Sequence, residues 1–101
     1  MPVTLTARER ASLKGRAHGL EPTVHLGTAG LTDAVVREAD RALTAHELIK
    51  VKFNDFKDQK EPLLQEIEAK TGAARCGLVG HVAILYRQHP EADKRKIDLP
   101  R

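Results

Sequence analysis

The segment LIKVKF, residues 48–53, alternates apolar and mainly cationic positions along its whole length. A period of two is typical of a β-strand with one buried face. The alternation places Ile49, Val51 and Phe53 on one face, and Leu48, Lys50 and Lys52 on the other. The chain must therefore build its core around a sheet that contains this strand, with two lysines on the opposite face.

Two helices are predicted before this strand. Thr6 and Glu9 have the S/T-x-x-E spacing of a capping box, so a first helix should begin there and run through Ala17. Thr32 is a suitable N-cap for a second helix over about 33–45, because its hydroxyl can accept a hydrogen bond from a first-turn amide. Apolar residues at helical spacing mark the buried side of the second helix: Val35, Ala39, Ala42 and Leu43.

A third helix and a hairpin are predicted after the strand. Pro62 is tolerated only in the first turn of a helix, so this helix should begin near residues 58–61. Gly72 favours the left-handed conformation in which many helices end. A tight turn at Gly80 then joins two further strands. These strands should span about 74–79 and 82–87.

The remaining strand is TVHL at residues 23–26, which gives the order α-β-α-β-α-β-β. A strand-helix-strand connection implies a right-handed crossover between parallel strands, and the final hairpin adds an antiparallel pair. We therefore predict an α+β, sandwich-like fold with a mixed four-stranded sheet.

The predicted sheet has one apolar and one basic face. The strands at 23–26 and 48–53 are half polar, which indicates that the helices mostly cover one face and leave part of the other in water. His25 should lie on this second face with Lys50 and Lys52, and Arg75 and Arg87 are expected to join them.

Length and composition indicate one domain over residues 1–101. A single cysteine, the lack of a signal-peptide pattern and the lack of a long apolar run predict a cytoplasmic protein without a membrane segment. We expect a monomer. Seventeen Lys and Arg against fourteen Asp and Glu give a net charge of +3, so the placement of the cations matters more than their number.

Residues 88–101 form a basic, partly extended C-terminal tail. Its basic cluster is Lys94, Arg95 and Lys96. Such a run is most often a solvated group of charges, with phosphate contact as the second interpretation. Ile97 and Leu99 alternate, so the last residues are expected to add a short edge strand.

The candidate site is the loop Gly27-Thr28-Ala29-Gly30, between a strand and the start of the second helix. Glycines allow positive φ and close approach of another backbone, and a helix N-terminus offers free N–H groups that suit a phosphate. The loop lacks the ending of a P-loop and the third glycine of a dinucleotide fingerprint. A GxxG loop that clamps nucleotides, as in KH domains, fits the spacing, although a purely structural turn also fits.

Five segments along the chain form a recognisable set: LKGRAHGLEPTVHLG (13–27), GLTDAVVREADRALTAHELIKVKF (30–53), TGA (71–73), VGHVAILYR (79–87) and KRKIDLPR (94–101). In this order they resemble the CRM domain (chloroplast RNA splicing and ribosome maturation) of stand-alone bacterial YhbY-like proteins. The resemblance implies a fold similar to the C-terminal domain of bacterial initiation factor three. It further implies RNA binding through a KH-like GxxG loop, and association with precursors of the large ribosomal subunit.

The candidate RNA-binding residues combine this loop with the basic positions nearby. They are Gly27, Thr28, Ala29, Gly30, Thr32, Arg10, Lys14, Lys50, Lys52 and Arg87. Many family members carry a basic or amide residue inside the loop, whereas this chain has Thr28 and Ala29, so the attraction must come from amides and surrounding cations. His18 and His46 fall in family segments. RNA contact is one interpretation of these two histidines. The other, with at least equal weight, is that each closes a helix C-terminus by bonding the free carbonyls.

No catalytic or metal site is expected. The five histidines and Cys76 show none of the usual ligand spacings, and Cys76 is expected to be a small buried residue within a strand. Ser12 is the only serine and has no histidine and aspartate arrangement that would activate it. We therefore predict a protein that is not an enzyme, with no cofactor and no small-molecule substrate.

Two functions remain open from the sequence. The first is an RNA-binding protein of large-subunit assembly, which contacts mainly phosphates because only three aromatic residues are present. The second is a protein-docking module whose basic surface serves solubility alone. DNA binding is less favoured, because Glu38 and Asp40 lie on the exposed side of the second helix.

Overall fold

The computed structural model of the chain describes residues 5–97. Three α-helices are α1 (Ala7–Ala17), α2 (Asp33–His46) and α3 (Lys60–Thr71). The strands are β1 (Val24–Leu26), β2 (Leu48–Phe53), β3 (Ala74–Val79) and β4 (Val82–Tyr86). The predicted order and fold class are confirmed. Two short 3-10 turns, Lys57–Gln59 and Ala92–Lys94, were not predicted.

The four strands form one mixed sheet in the order β1-β2-β4-β3. β1 and β2 are parallel and are joined through α2, whereas β4 pairs antiparallel with both β2 and β3. This arrangement follows the predicted crossover and hairpin, because parallel neighbours need a long connection and antiparallel neighbours need only a tight turn. The sheet therefore places the C-terminal ends of β1 and β2 side by side.

The helix ends form as the sequence predicts. In α1, the Thr6 hydroxyl accepts from the Glu9 amide at 3.1 Å, and the Glu9 carboxylate accepts from the Thr6 amide at 2.8 Å. In α2, the Thr32 hydroxyl accepts from the Val35 amide at 3.2 Å. Gly72 ends α3 with a φ of 75°. These local contacts satisfy amides that a helix leaves free, and they fix where each helix begins or ends.

The larger core lies between one sheet face and the pair α2 and α3. The alternating side chains of β2 point into it, as the period of two predicts. Its central members from β2 and the two helices are Ile49, Val51, Phe53, Ala39, Leu43, Leu64 and Ile67. Burial on this scale, at about 25 cal/mol per Å² of apolar surface, makes this layer the main source of stability.

The second sheet face is covered in part by α1 and open in part, in agreement with the expectation that only part of this face lies in water. Leu13 and Ala17 of α1 are buried against Leu48, Ile84 and Tyr86 of the sheet. Leu48 occupies a position that alternation assigns to the basic face, and it forms the floor of this smaller core instead. The open part of that face is thus limited to the region that α1 leaves uncovered, at the far end of β2.

Arg75 and Arg87 do not lie on the basic face, so their predicted placement there is wrong. A β-bulge between Arg75 and Gly77 shifts the register, so Arg75 lies opposite Leu85 rather than opposite Tyr86. Leu85 belongs to the core under α2 and α3. Arg87 follows Tyr86 and by alternation points to the same side as Leu85.

Glu47, between α2 and β2, is a buried charged residue that the sequence analysis missed. Its side chain is only 1% exposed and its φ is 63°. The carboxylate accepts hydrogen bonds from the amides of His89, Lys96 and Ile97 at 2.5 to 3.2 Å. A carboxylate can be buried when it is hydrogen-bonded in this way, and here it fixes the path of the tail.

The predicted edge strand at Ile97 and Leu99 is not tested beyond Ile97. Residues 95–97 are not in a strand, and Ile97 packs against the smaller core. Leu99 lies outside the described residues. The basic cluster of the tail is partly paired, since Lys94 forms a salt bridge of 2.8 Å with Glu91.

Candidate nucleic-acid interface

The GxxG loop lies at the end of the sheet where β1 and β2 finish. The Gly30 amide donates to the Gly27 carbonyl at 3.0 Å, which closes a turn around Thr28 and Ala29. Gly27 continues directly from β1, and Thr32 caps α2 at the other end of the loop. The loop thus joins a strand to a helix N-terminus, the arrangement that favours an anion.

The two glycines of the loop have different structural roles. Gly30 is buried with a φ of 77°, and a Cβ there would lie 3.4 Å from the Phe56 ring. The fold itself therefore requires glycine at position 30. A Cβ at Gly27 would meet nothing within 4 Å, and no positive φ is needed there. The packing of the protein leaves the backbone at Gly27 bare and accessible.

Thr28 and Ala29 form the exposed tip of the loop. Within residues 5–97, no carbonyl or side-chain acceptor lies in hydrogen-bond range of their amides. The Thr32 side chain is already used as the cap of α2, so its hydroxyl oxygen has one partner, the Val35 amide. The loop therefore offers backbone donors rather than charged side chains.

A row of side chains crosses all four strands on the α1 face, next to the loop. In the sheet register, His25 is opposite Lys52, Lys52 is opposite Val82, and Val82 is opposite Val79. We call these four residues the open row. His25, Lys52 and Val79 are exposed and Val82 is half-buried, because α1 does not extend over them. The Asn54 amide lies 3.2 Å from the His25 ring and steadies it.

The next row of the sheet brings Lys14 of α1 close to Lys50. Lys50 lies opposite Ile84, and Ile84 lies opposite Gly77. A Cβ at Gly77 would be 3.3 Å from Cδ of Lys14, so the missing side chain lets the lysine stem rest on β3. The Lys50 ammonium donates to the Leu20 carbonyl at 3.0 Å. Two of the predicted cations are thus held over the same part of the sheet.

Arg10 lies one turn before Lys14 in α1 and donates to the Leu5 carbonyl at 3.0 Å. Neither Arg10 nor the three lysines Lys14, Lys50 and Lys52 has a carboxylate within 4 Å among residues 5–97. Their positive charge is therefore not neutralised locally, and it adds up along one side of the molecule.

Three further basic side chains at the loop end were missed by the sequence analysis. Lys60 donates to the Gly80 carbonyl at 2.6 Å and lies 3.1 Å from the His81 ring. Desolvation and the positive charges of Lys60 and Lys57 lower the pKa of His81. A hairpin turn and a helix start meet here, a contact that no local pattern reveals.

The two arginines on the other face have carboxylate partners. Arg87 donates to the Asp40 side chain at 2.6 Å and to the Thr71 carbonyl at 2.7 Å. Arg75 contacts Glu61 at 2.7 Å and Glu68 at 3.0 Å. Arg87 therefore lies away from the other candidate residues, with its charge paired.

The two family histidines do not close their helices. His18 ends α1 and His46 is the last residue of α2, and neither ring bonds a helix carbonyl within residues 5–97. Cys76 is buried in β3 as predicted, and its burial raises the thiol pKa to about 12.

Across the part of the chain that the structure describes, no group of three His, Cys, Asp or Glu residues is arranged to hold a metal ion. None of its helices combines the length and the apolar character needed to cross a membrane.

The CRS1/YhbY (CRM) domain matches residues 5–87. This range contains the helices α1, α2 and α3 and the strands β1 to β4, together with the loop and the open row. The chain belongs to the CRS1/YhbY (CRM) domain family. The resemblance seen in the sequence is confirmed.

Relatives of this CRM domain are named as RNA-binding proteins. A Haemophilus influenzae RNA-binding protein is 43% identical over 99 residues, with 97% of each chain covered. A probable RNA-binding protein of Pseudomonas aeruginosa is 33% identical, over 98% of this chain and 96% of its own. The solution structure of a Staphylococcus aureus protein, described as a candidate RNA-binding protein, has a TM-score of 0.80 at 28% identity. It covers 96% of this chain and 100% of its own.

Proposed function

We propose that this protein binds RNA through the GxxG loop and the open row, and that it acts on ribosomal RNA in assembly of the large subunit. The RNA class is supported by the family and by the names of the relatives. The ribosomal target rests on the resemblance of the five sequence segments. The site rests on the geometry of the charges.

One observation carries the proposed site: three lysines that have no carboxylate within 4 Å among residues 5–97 lie on one side of the sheet, next to the loop. Lys50 and Lys52 point from alternate positions of β2 to the α1 face, and Lys14 reaches the same region from α1. A phosphodiester backbone has one negative charge per nucleotide, so a line of unpaired cations matches it better than scattered charges do.

The loop supplies a second kind of contact. Amides at Thr28 and Ala29 and the N-terminus of α2 form hydrogen bonds to one phosphate group. Gly27 lets a sugar-phosphate chain approach the backbone closely, because no side chain stands between them. Gly30 has an indirect role, since it sets the path of the loop against Phe56.

Binding of this kind depends on phosphates and shape more than on base identity. Affinity should fall with salt at about 0.7 of a log unit per log unit of salt for each single-strand phosphate contact. A purified protein and a labelled ribosomal RNA fragment allow this measurement by fluorescence anisotropy. A flat salt response would contradict the phosphate-clamp mechanism.

Gly27→Glu tests the loop with little effect on the fold. A new carboxylate beside a helix N-terminus competes with the phosphate for an interaction worth about 1 kcal/mol, so RNA affinity should fall about fivefold. Gly15→Glu is the matched control, because a side chain at Gly15 also meets nothing within 4 Å. Gly30→Glu is unsuitable, since it would strain the backbone. Equal affinities of the two glutamate variants would remove the loop from the site.

Sedimentation of a cell lysate tests the ribosomal target. The protein should travel with precursors of the large subunit, and RNase should release it. Retention on the particle after complete RNase digestion would favour docking on a protein instead.

A further inference from the structure

A cleft of about 350 Å³ lies between α1 and the sheet, beside the open row. Its apolar lining comes from Leu20, Pro22, Val79, Val82 and Ile84. Leu20 is 40% exposed and Val79 is 56% exposed. They are the two large apolar side chains left exposed within residues 5–97, and both lie at this cleft. Exposed apolar groups gathered at one concave place indicate a binding site.

The rim of the cleft is mainly basic. Lys14, His18 and Lys50 supply nitrogen groups at its edge, against one carboxylate from Glu21. Lys50 donates one hydrogen bond to the Leu20 carbonyl, and its ammonium has two further protons to donate. An occupant should therefore combine an apolar body with a negatively charged attachment.

The size of the cleft narrows the class of occupant. Pockets for small ligands span about 300–1,000 Å³, so this cleft is at the lower limit. It has room for one flat ring system, whereas the apolar face of a helix needs a longer groove to seat residues several turns apart. A single nucleobase attached to its phosphate has the required size and charge.

We infer that this cleft receives one unpaired nucleobase of the bound RNA, while Lys14 and Lys50 contact the phosphates on either side. The inference rests on the proposed RNA-binding function and adds a preference for RNA with a bulged or single-stranded nucleotide. Aliphatic walls contact the base face without reading its edges, so the site accepts different bases. Proteins usually stack RNA bases on aromatic side chains, and this chain has only three. Aliphatic side chains would supply the base contact in their place.

The test uses three RNA hairpins with the same stem. The first is fully paired, the second has one unpaired adenosine, and the third has an abasic nucleotide at that position. The abasic hairpin keeps the phosphate and the flexibility of the bulge, and it lacks only the base. The unmodified protein should bind the adenosine bulge about tenfold more tightly than the abasic bulge, which corresponds to about 1.4 kcal/mol.

A double variant, Leu20→Ser with Val79→Ser, tests the cleft directly. Both positions are exposed, so the change removes apolar walls without a change of charge and with little effect on folding. It should abolish the difference between adenosine and abasic bulges. The slope of log affinity against log salt for the paired hairpin should stay the same, because it reports phosphate contacts and neither substitution changes a charge. Gln65→Ser with Ala69→Ser, at exposed positions of α3, is the matched control and should keep the difference.

Two results would overturn the inference. Equal binding of adenosine and abasic bulges by the unmodified protein excludes a base in the cleft. If the variant with Leu20→Ser and Val79→Ser still prefers the adenosine bulge to the abasic bulge, the base binds elsewhere. Leu20 and Val79 would then be better explained as a contact surface for a protein partner. In both cases salt-dependent binding to the paired hairpin would leave the proposed function intact. No binding to any hairpin would overturn both.

Discussion

The two faces of the sheet differ in whether their cationic side chains have carboxylate partners. On the α2 and α3 side, Arg75 contacts two glutamates and Arg87 contacts Asp40 and a backbone carbonyl. On the α1 side, Lys50 and Lys52 have no carboxylate within 4 Å among the described residues. The same formal charge therefore stabilises the fold on one side and stays available to a polyanion on the other. The net charge of +3 does not reveal this division.

The largest predicted loss of stability concerns Glu47, a charged group whose hydrogen-bond partners lie within the protein. Glu47→Ala leaves three backbone amides without their carboxylate, so it should lower the free energy of unfolding by about 3 kcal/mol. Urea denaturation followed by circular dichroism measures this loss. Glu47→Gln keeps one acceptor oxygen and should lose less. A loss below about 1 kcal/mol for the alanine variant would mean that the tail is held by other contacts.

Arg87→Ala should separate stability from RNA binding. The variant loses charged hydrogen bonds to Asp40 and the Thr71 carbonyl, so the free energy of unfolding should fall by about 2 kcal/mol. RNA affinity should stay unchanged at temperatures where the variant is folded. A stable variant with weakened RNA binding would place Arg87 in the interface and break the division between the two faces.

Lys50→Gln with Lys52→Gln should give the opposite result. Stability should change by less than about 0.5 kcal/mol, because neither side chain has a carboxylate within 4 Å among residues 5–97. The slope of log affinity against log salt should fall by about 0.7 for each lysine that contacts a single-strand phosphate. Anisotropy titrations at several salt concentrations, with parallel thermal melts, check both parts. An unchanged slope would show that these lysines do not contact phosphates.

The smallest predicted change in stability concerns the hydroxyl group of Tyr86. The Tyr86 hydroxyl is buried without a hydrogen-bond partner among the described residues, so Tyr86→Phe should leave stability at neutral pH within about 0.5 kcal/mol.

The same variant should change the response to alkali. Burial raises the pKa of Tyr86 to about 12, so the folded state holds the phenol proton more tightly than the unfolded state, whose pKa is about 10. This contribution is fully present below pH 10 and is lost as the pH rises towards 12. Unfolding curves between these limits should be less pH-dependent for Tyr86→Phe, with the Cys76 thiol still contributing. Identical curves would contradict a buried, neutral phenol.

Local signals in the sequence predicted most of the fold. The capping box at Thr6, the cap at Thr32 and the left-handed Gly72 act within a few residues, so their patterns are visible in the chain itself. The alternation of 48–53 predicted β2 to the residue. It also placed Lys50 and Lys52 on one face, and the GxxG spacing placed the loop between β1 and the start of α2.

The missed features depend on contacts between distant residues. The bulge at Arg75 and Gly77 moves Arg75 to the other face, and a period of two cannot show where a register shift occurs. Glu47 meets amides more than forty residues away in the chain. Lys60 reaches the hairpin turn at Gly80 only in the folded protein. None of these contacts leaves a local pattern.

An equal-charge comparison tests the central claim most directly. Lys50→Glu with Lys52→Glu reverses two cations on the α1 side, and Arg41→Glu with Lys70→Glu reverses two exposed cations on α2 and α3. Both variants have the same net charge. At low salt, RNA affinity should fall about 100-fold for the first variant and only a few-fold for the second, whose changes act through long-range repulsion. Equal losses would contradict the account, because net charge rather than its placement would then govern RNA binding.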